Sequence, residues 1–386
     1  MIARGGMGRI HAVIDGSLKR QVAMKQFDPL NRSDPTALAR FVEEAQLTSR
    51  LDHPNIVPVH ALSATGHGPA FFTMKLIRGQ DLKQVLEQLG FDRLRGNNLE
   101  HLVGVISNCC HALSFAHAHG VLHRDLKPTN VMVGAHGQVY VMDWGLAYLN
   151  PDGQIPPQEF QNAIGTPAYM APEQAWAQPD RLGPHTDVFG LGGLLYAILT
   201  GGPPHRGKTP IDTVLLAREG KVPPPQTLVP DRRLPPELCR ITMRALSPAP
   251  EDRQADVDEL REELEQFQRG GGWLETRRYQ PGTIIVEEGD ASHEAFIVVA
   301  GTCEVRKRIR GRDELLQTMQ AGEVFGETAF LSGGTRQATV VAQTEVLLKV
   351  VTRDSLESEL SGKGWLRLFI TTLTQRFGEL SRELTQ

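Results

Sequence analysis

Apolar and polar positions along this chain change their period several times, and each change marks an element. Val22, Ala23 and Met24 form a short apolar run that ends in Lys25, which predicts a strand with a charged end. Over residues 35–51 the apolar residues Leu38, Phe41, Val42, Ala45 and Leu47 fall at helical spacing. Residues 70–74 and 139–142 read as further apolar strands, and 79–120 as mostly helical. Residues 188–199 are apolar on every side, as in a buried helix, although three glycines interrupt them. Residues 256–267 are amphipathic again. Arg269-Gly270-Gly271-Gly272 then breaks the pattern and predicts a flexible linker. Beyond it the rhythm shortens. Residues 283–286, 295–299, 301–305 and 345–350 are short alternating runs between glycines, the pattern of a small β-barrel or jelly roll. In the tail, Leu366, Phe369, Leu373, Phe377, Leu380 and Leu384 repeat at three and four, giving one apolar helix face. That run is too short to argue a coiled coil, so a seat within the molecule is expected rather than a pair with a second chain.

Composition narrows the classes. A chain of 386 residues has room for two or three domains. A net charge of −4 does not suggest a nucleic-acid partner. No apolar run reaches the roughly 18 residues of a membrane span. The N-terminus runs straight into a glycine-rich turn, without the pattern of a signal peptide. The four cysteines, Cys109, Cys110, Cys239 and Cys303, have no metal-ligand spacing, and the adjacent pair is poorly placed for a disulfide. A reduced, cytoplasmic protein is expected.

Two runs carry the candidate chemistry. His123-Arg124-Asp125-Leu126-Lys127-Pro128-Thr129-Asn130 puts a carboxylate, a lysine and an amide on one tight loop. Asp143-Trp144-Gly145 adds a second carboxylate on a turn after the strand at 139–142. Two carboxylates and an amide near one point can hold a divalent cation and orient a hydroxyl, as phosphoryl transfer requires. At the start of the chain, Gly5, Gly6 and Gly8 between two short strands would let backbone N–H groups approach phosphates; a flexible hairpin is the plain alternative.

Taken in order, these runs resemble the motifs of the eukaryotic-like (Hanks-type) serine/threonine protein kinases over roughly the first two-thirds of the chain. The resemblance implies transfer of the ATP γ-phosphate to protein serine or threonine. Asp125 would accept or orient the hydroxyl proton, and Lys127 would steady the γ-phosphate. Asn130 and Asp143 would hold Mg²⁺, with Mn²⁺ able to substitute. Lys25 would pair with the α- and β-phosphates and with Glu44, for which the adjacent Glu43 is the alternative. Gly5, Gly8, Ile10 and Ala23 would border the ATP, with Met74 as gatekeeper and Lys75 and Ile77 in the hinge beside adenine. Ala3 stands where the pattern has its first glycine. Thr166 would fix the peptide platform, Asp187 would anchor the catalytic loop, and Arg253 would pair with Glu173. Trp144 replaces the usual phenylalanine and should pack inward, where its indole N–H needs a partner.

Residues 325–339, which include Gly326, Glu327 and Arg336, resemble the phosphate-binding cassette of cyclic-nucleotide-binding domains. Gly326 would free the backbone near an anion, Glu327 would accept from a ribose hydroxyl, and Arg336 would pair with the cyclic phosphate. Gln337 departs from the small residue or hydroxyl usual at that position.

The expected fold is therefore α+β. A bilobal kinase domain covers 1–268, with a β-rich lobe at 1–77 whose first strand is incomplete and a helical lobe at 78–268. A linker at 269–276 leads to a jelly-roll domain at 277–386 that ends in helix. The expected partners are ATP, protein substrates and cAMP or cGMP, with no nucleic acid. A pseudokinase scaffold, or a barrel that only docks partners, are the rival readings. From Asp143 to Gly165 there is no serine or threonine, so Arg124 would find its anion in Asp152 or Glu159 rather than in a phosphate.

Overall fold

The computed structural model describes residues 2–4, 8–28, 35–64, 69–90, 97–149, 165–230, 234–269, 274–309, 312–353 and 356. The chain divides into two units, Met1–Gly270 and Gly271–Gln386. In the first, strands β1 (Ala3–Arg4), β2 (Gly8–Asp15), β3 (Arg20–Phe27), β4 (Val59–Ser63) and β5 (Phe71–Lys75) form an antiparallel sheet in the order β1-β2-β3-β5-β4. Helix α1 (Pro35–Arg50) supplies the apolar face that covers it. Phe41 of α1 is fully buried, with ring centroids 5.4 Å from Phe27 and 5.2 Å from Phe72. Burial of an aromatic ring of this size is worth about 3 kcal/mol, so this trio fixes the helix on the sheet. Gly8 has no room for a side chain: a Cβ there would lie 2.4 Å from the Gln26 carbonyl oxygen.

The remainder of this unit is mainly helical. Strand β6 (Gly79–Asp81) leads into α2 (Leu82–Leu89), which Asp81 caps through the Gln84 N–H at 2.8 Å. The long helix α3 (Asn97–Ala118) follows. Short strands β7 (Val121–Leu122), β8 (Val131–Gly134), β9 (Val139–Val141) and β10 (Tyr148–Leu149) frame the two motif loops: β8 pairs with β6 and β9, and β10 with β7. Helices α4 (Pro172–Ala175), α5 (Pro184–Thr200), α6 (Pro210–Glu219), α7 (Pro225–Leu228), α8 (Pro236–Ala245) and α9 (Val257–Arg269) complete the unit. The core lies among α3, α5, α8 and α9, with Leu113, Leu194, Ile241 and Leu260 fully buried. The glycines inside α5 are contact points rather than breaks. A Cβ on Gly190 would lie 2.9 Å from the Leu126 Cβ, and one on Gly192 2.8 Å from that of Ala245. The loop that carries Leu126 and helix α8 therefore rest directly on the helix backbone.

The second unit holds two four-stranded antiparallel sheets, the plan of a jelly roll. One runs β11 (Glu275–Tyr279), β18 (Val346–Thr352), β13 (Glu294–Ala300), β16 (Val324–Phe325). The other runs β12 (Ile284–Val286), β17 (Thr339–Ala342), β14 (Cys303–Ile309), β15 (Arg312–Met319). Phe296, Phe325 and Leu348 from the first sheet share one core with Cys303, Met319 and Val340 from the second. A short helix, α10 (Glu327–Ser332), sits between β16 and β17 in the chain. The apolar tail face at 366–384, the glycines at 5 and 6, and the two acids Asp152 and Glu159 lie outside the described residues.

Candidate active site and anion pocket

Near the end of strand β3, Lys25 points at α1. Its Nζ donates to the Glu44 Oε1 at 2.6 Å and lies 3.5 Å from the Asp143 Oδ1. Glu44, not the exposed Glu43, is the helix residue in this contact. Burial would lower the lysine, but the charges of Glu44 and Asp143 outweigh it and raise it. Burial also raises Glu44, partly offset by Lys25. At 2.6 Å the two form a charged, hydrogen-bonded pair.

Asp125 is held from several sides. Its Oδ2 accepts from the Lys127 Nζ at 2.5 Å, and its Oδ1 accepts from the Thr166 hydroxyl at 2.7 Å and the Thr166 N–H at 2.8 Å. The Lys127 Nζ also donates to the Thr166 hydroxyl at 2.9 Å. The Asn130 amide nitrogen donates to the Asp125 carbonyl at 2.9 Å, which leaves the amide oxygen uncommitted among the described residues. The loop that carries Asp125 hangs from α5. The Asp187 Oδ2 accepts the His123 N–H at 2.8 Å, and its Oδ1 accepts the Arg124 N–H at 2.9 Å. The His117 Nε2 lies 2.8 Å from the same carboxylate. Burial works to raise Asp187, but the hydrogen bond and charge of His117 and the groups of His123 outweigh it and hold it low. Arg124 and Asp143 both adopt the left-handed backbone, at φ 64° and 63°. Two non-glycine residues in that region within one site are strained turns held by their surroundings.

A cavity of about 490 Å³ joins these groups. Ile10, Val57, Val59, Phe72 and Met74 give it an apolar wall; Lys25, Glu44, Lys127, Asn130 and Asp143 give it a charged end. Trp144 also lines it. Its side chain is buried, edge-on to the His123 ring with centroids 4.7 Å apart, and its indole N–H has no hydrogen-bond partner among the described residues. The expected partner is thus not found among the described residues, and the side chain belongs to the buried apolar core.

In the second unit, the Arg336 side chain is buried against Phe296, with its guanidinium carbon 5.7 Å from the ring centroid. Its Nη1 donates to the Gly326 carbonyl at 3.0 Å and its Nη2 to the Glu294 carbonyl at 2.7 Å. Among the described residues no carboxylate pairs with it, and burial lowers its pKa. Gly326 has φ 76°, and a Cβ there would lie 2.3 Å from the guanidinium, so only glycine fits. Glu327 and Gln337 are exposed.

Residues 1–262 match the family model of the protein kinase domain. This chain belongs to the protein kinase family. Residues 276–362 match a second model, the cyclic nucleotide-binding domain. The chain is also similar to serine/threonine-protein kinase PknD of Protochlamydia amoebophila (strain UWE25), with 33% identity over 292 residues, 70% of this chain and 29% of that protein. PknD of Chlamydia pneumoniae is 30% identical over 302 residues (73% and 32%), and PknD of Chlamydia felis (strain Fe/C-56) 31% over 306 residues (74% and 32%). The chain thus spans about a third of the length of these curated relatives. Among the described residues no helix is long and apolar enough to cross a membrane.

Within this kinase domain the cavity gathers Ile10, Lys25, Glu44, Met74, Lys127, Asn130 and Asp143. Ala23, Lys75 and Ile77 do not line it. Ala23 lies in the core beneath the sheet. Lys75 turns its side chain away, donating to the Tyr140 hydroxyl at 2.6 Å with its Nζ 4.9 Å from that ring centroid. The cation finds a partner on β9 that linear spacing could not indicate. Gly5 lies outside the described residues. Sequence reasoning missed Val57, Val59, Thr48 and Asp81 as lining residues. The His53-Pro54-Asn55-Ile56-Val57 run was the available signal for Val57; nothing local marks the others.

Proposed function

We propose that this chain is an ATP-dependent serine/threonine protein kinase whose second unit takes a cyclic nucleotide. The observation that carries the first half is Asp125. Its carboxylate is oriented by Lys127 and Thr166, and Lys127 and Asn130 connect it to a cavity whose far end holds Lys25, Glu44 and Asp143. A volume near 490 Å³ suits a nucleotide-sized ligand. The apolar wall suits a flat base, and Lys25 suits its phosphates. Asp125 would take the proton as the acceptor hydroxyl forms its bond to phosphorus and ADP leaves. Lys127, in contact with both Asp125 and Thr166, would stabilise charge on the transferred group. The names of the relatives support serine and threonine as acceptors.

The donor set fits Mg²⁺. The Asp143 carboxylate is half-exposed at the cavity, and Asn130 turns its nitrogen to Asp125, so both would offer hard oxygen ligands. Among the described residues no group of three or more His, Cys, Asp and Glu side chains forms a metal cage. Two protein ligands plus water and phosphate oxygens is the arrangement magnesium favours. When bound, the ion neutralises charge on the phosphates.

For the second unit, the support is Arg336: a buried cation without a carboxylate partner among the described residues, beside a glycine that nothing larger can replace. Such a site favours a compact anion such as a cyclic phosphate. The exposed Glu327 stands on the same short segment for a ribose hydroxyl. A barrel that only docks partners draws support from one fact, that Arg336 already donates to two carbonyls. The kinase reading is tested with Asp125→Ala. Transfer of the ATP γ-phosphate to a serine peptide should fall at least 100-fold with the unfolding temperature of the first unit retained. Turnover like that of the wild type would remove Asp125 from the mechanism.

A further inference from the structure

The peptide platform is bordered by positive charge that the transfer chemistry does not use. Thr166 opens the platform, and a short 3₁₀ turn, Pro167–Tyr169, continues it. The His205 N–H donates to the Ala168 carbonyl at 3.2 Å, which ties residues 205–208 to that turn. The two segments also meet on α5. A Cβ on Gly193 would lie 3.1 Å from the Tyr169 ring and 3.5 Å from Pro204. Arg206 comes next, exposed, and close enough to act on the Tyr169 phenol: burial pushes that phenol up to about 12, and Arg206 works against the rise. The hydrogen bond of Arg206 among the described residues is a long one, from Nε to the Pro203 carbonyl at 3.4 Å. Among the described residues no carboxylate pairs with it. Lys208, two residues on, is exposed and also unpaired among the described residues. Asp212, the nearby carboxylate of the following turn, is engaged in capping α6, where it accepts the Thr209 N–H at 3.0 Å.

Surface cations are commonly just solvated, and one alone would mean little. Here two unpaired cations stand within three residues on a segment bonded to the platform. The chain as a whole is acidic, with a net charge of −4, so the local sign opposes the global one. Tyr169 lies three residues beyond Thr166, on a turn that rises roughly 2 Å per residue. An extended substrate advances about 3.3–3.6 Å per residue. From Thr166 to Tyr169 the turn therefore advances about 6 Å, the span of about two residues of an extended substrate. We propose that Arg206, with Lys208 beside it, makes this platform prefer protein substrates that carry an acidic side chain at that distance from the serine or threonine. The proposal rests on the kinase reading above and names its substrate class.

The test uses the full chain and a set of serine peptides in which glutamate, alanine or lysine is scanned over the positions on either side of the acceptor. Glutamate two or three residues away should raise kcat/KM about fivefold over alanine, the factor an exposed to half-exposed ion pair supplies, with the change in KM rather than kcat. Arg206→Glu should reverse the order so that lysine is preferred, and Lys208→Glu should weaken the preference. An equal response to glutamate, alanine and lysine overturns the proposal, as does an acid preference that survives Arg206→Glu. A fluorescent version of the best peptide, with alanine in place of the acceptor, provides an independent reading by anisotropy. If no peptide is phosphorylated, the kinase reading fails by itself. Tighter binding of the acidic peptide, lost in Arg206→Glu, still supports the recognition surface; no such difference removes it.

Discussion

His205 sits in the wrong chemical environment for its side chain. It is buried, its ring stacks on Phe189 at a centroid distance of 5.9 Å, and burial pushes its pKa down to about 4. A folded value below the ordinary 6.5 means that the unfolded chain binds the proton more readily. Stability is therefore fully present above about pH 6.5 and declines as the pH falls towards 4. At most about 3 kcal/mol is at stake over that window. His205→Phe keeps an aromatic ring on Phe189 and removes the titration. Its unfolding temperature should change little at pH 8 and should exceed that of the wild type increasingly from pH 6.5 to 4.5. Parallel pH profiles for the two proteins would show that His205 does not titrate as described. Residues of this kind mark the limit of reading a sequence. That Lys25, Glu44, Asp125, Asn130 and Asp143 come together was legible because each stands in a short motif with a recognisable spacing. The orphaned indole of Trp144, the turn of Lys75 towards Tyr140 and the burial of His205 depend on neighbours distant in the chain, which no local pattern specifies.

At the level of elements, the barrel cassette is the most exposed to test. Helix α10 has six residues and little stability of its own, so its position depends on what surrounds it. Arg336 ties the residue before α10 to the start of β13, through the carbonyls of Gly326 and Glu294. Arg336→Ala should weaken binding of cAMP or cGMP about 30-fold or more, because a buried charged pair that loses one partner costs about 2–5 kcal/mol. Arg336→Lys, which restores the charge without the fork, should recover part of that loss. Calorimetric titration of the full chain with each nucleotide measures both. Unchanged affinity in the alanine variant places the pocket elsewhere. The strands of this unit were readable from alternation between glycines. The pairing order, β11-β18-β13-β16 against β12-β17-β14-β15, was not, because it is set by contacts between strands far apart in sequence. In the first unit the three glycines of α5 read as interruptions, yet they are where the loop of Leu126, α8, and the segments of Tyr169 and Pro204 approach the helix.

For the whole molecule, the question is whether the second unit governs the first. Between Asp143 and Gly165 the chain has no serine or threonine to phosphorylate. The Arg124 Nε donates to the Leu146 carbonyl at 2.7 Å, on the turn that carries Asp143. A ligand of the second unit can shift the kinase only by its differential affinity for two states, typically about 1–3 kcal/mol. That corresponds to a change in rate of roughly 5- to 150-fold if activity follows the population. The most direct measurement is phosphate transfer by the phosphatase-treated full chain. It is incubated with ATP, Mg²⁺ and peptides offering serine, threonine or tyrosine, with and without cAMP or cGMP, and the products are read by mass spectrometry. The structure predicts phosphate on serine and threonine, none with Asp125→Ala, and a rate that changes when one of the nucleotides is present. Transfer no greater than that of Asp125→Ala, with or without nucleotide, would contradict it.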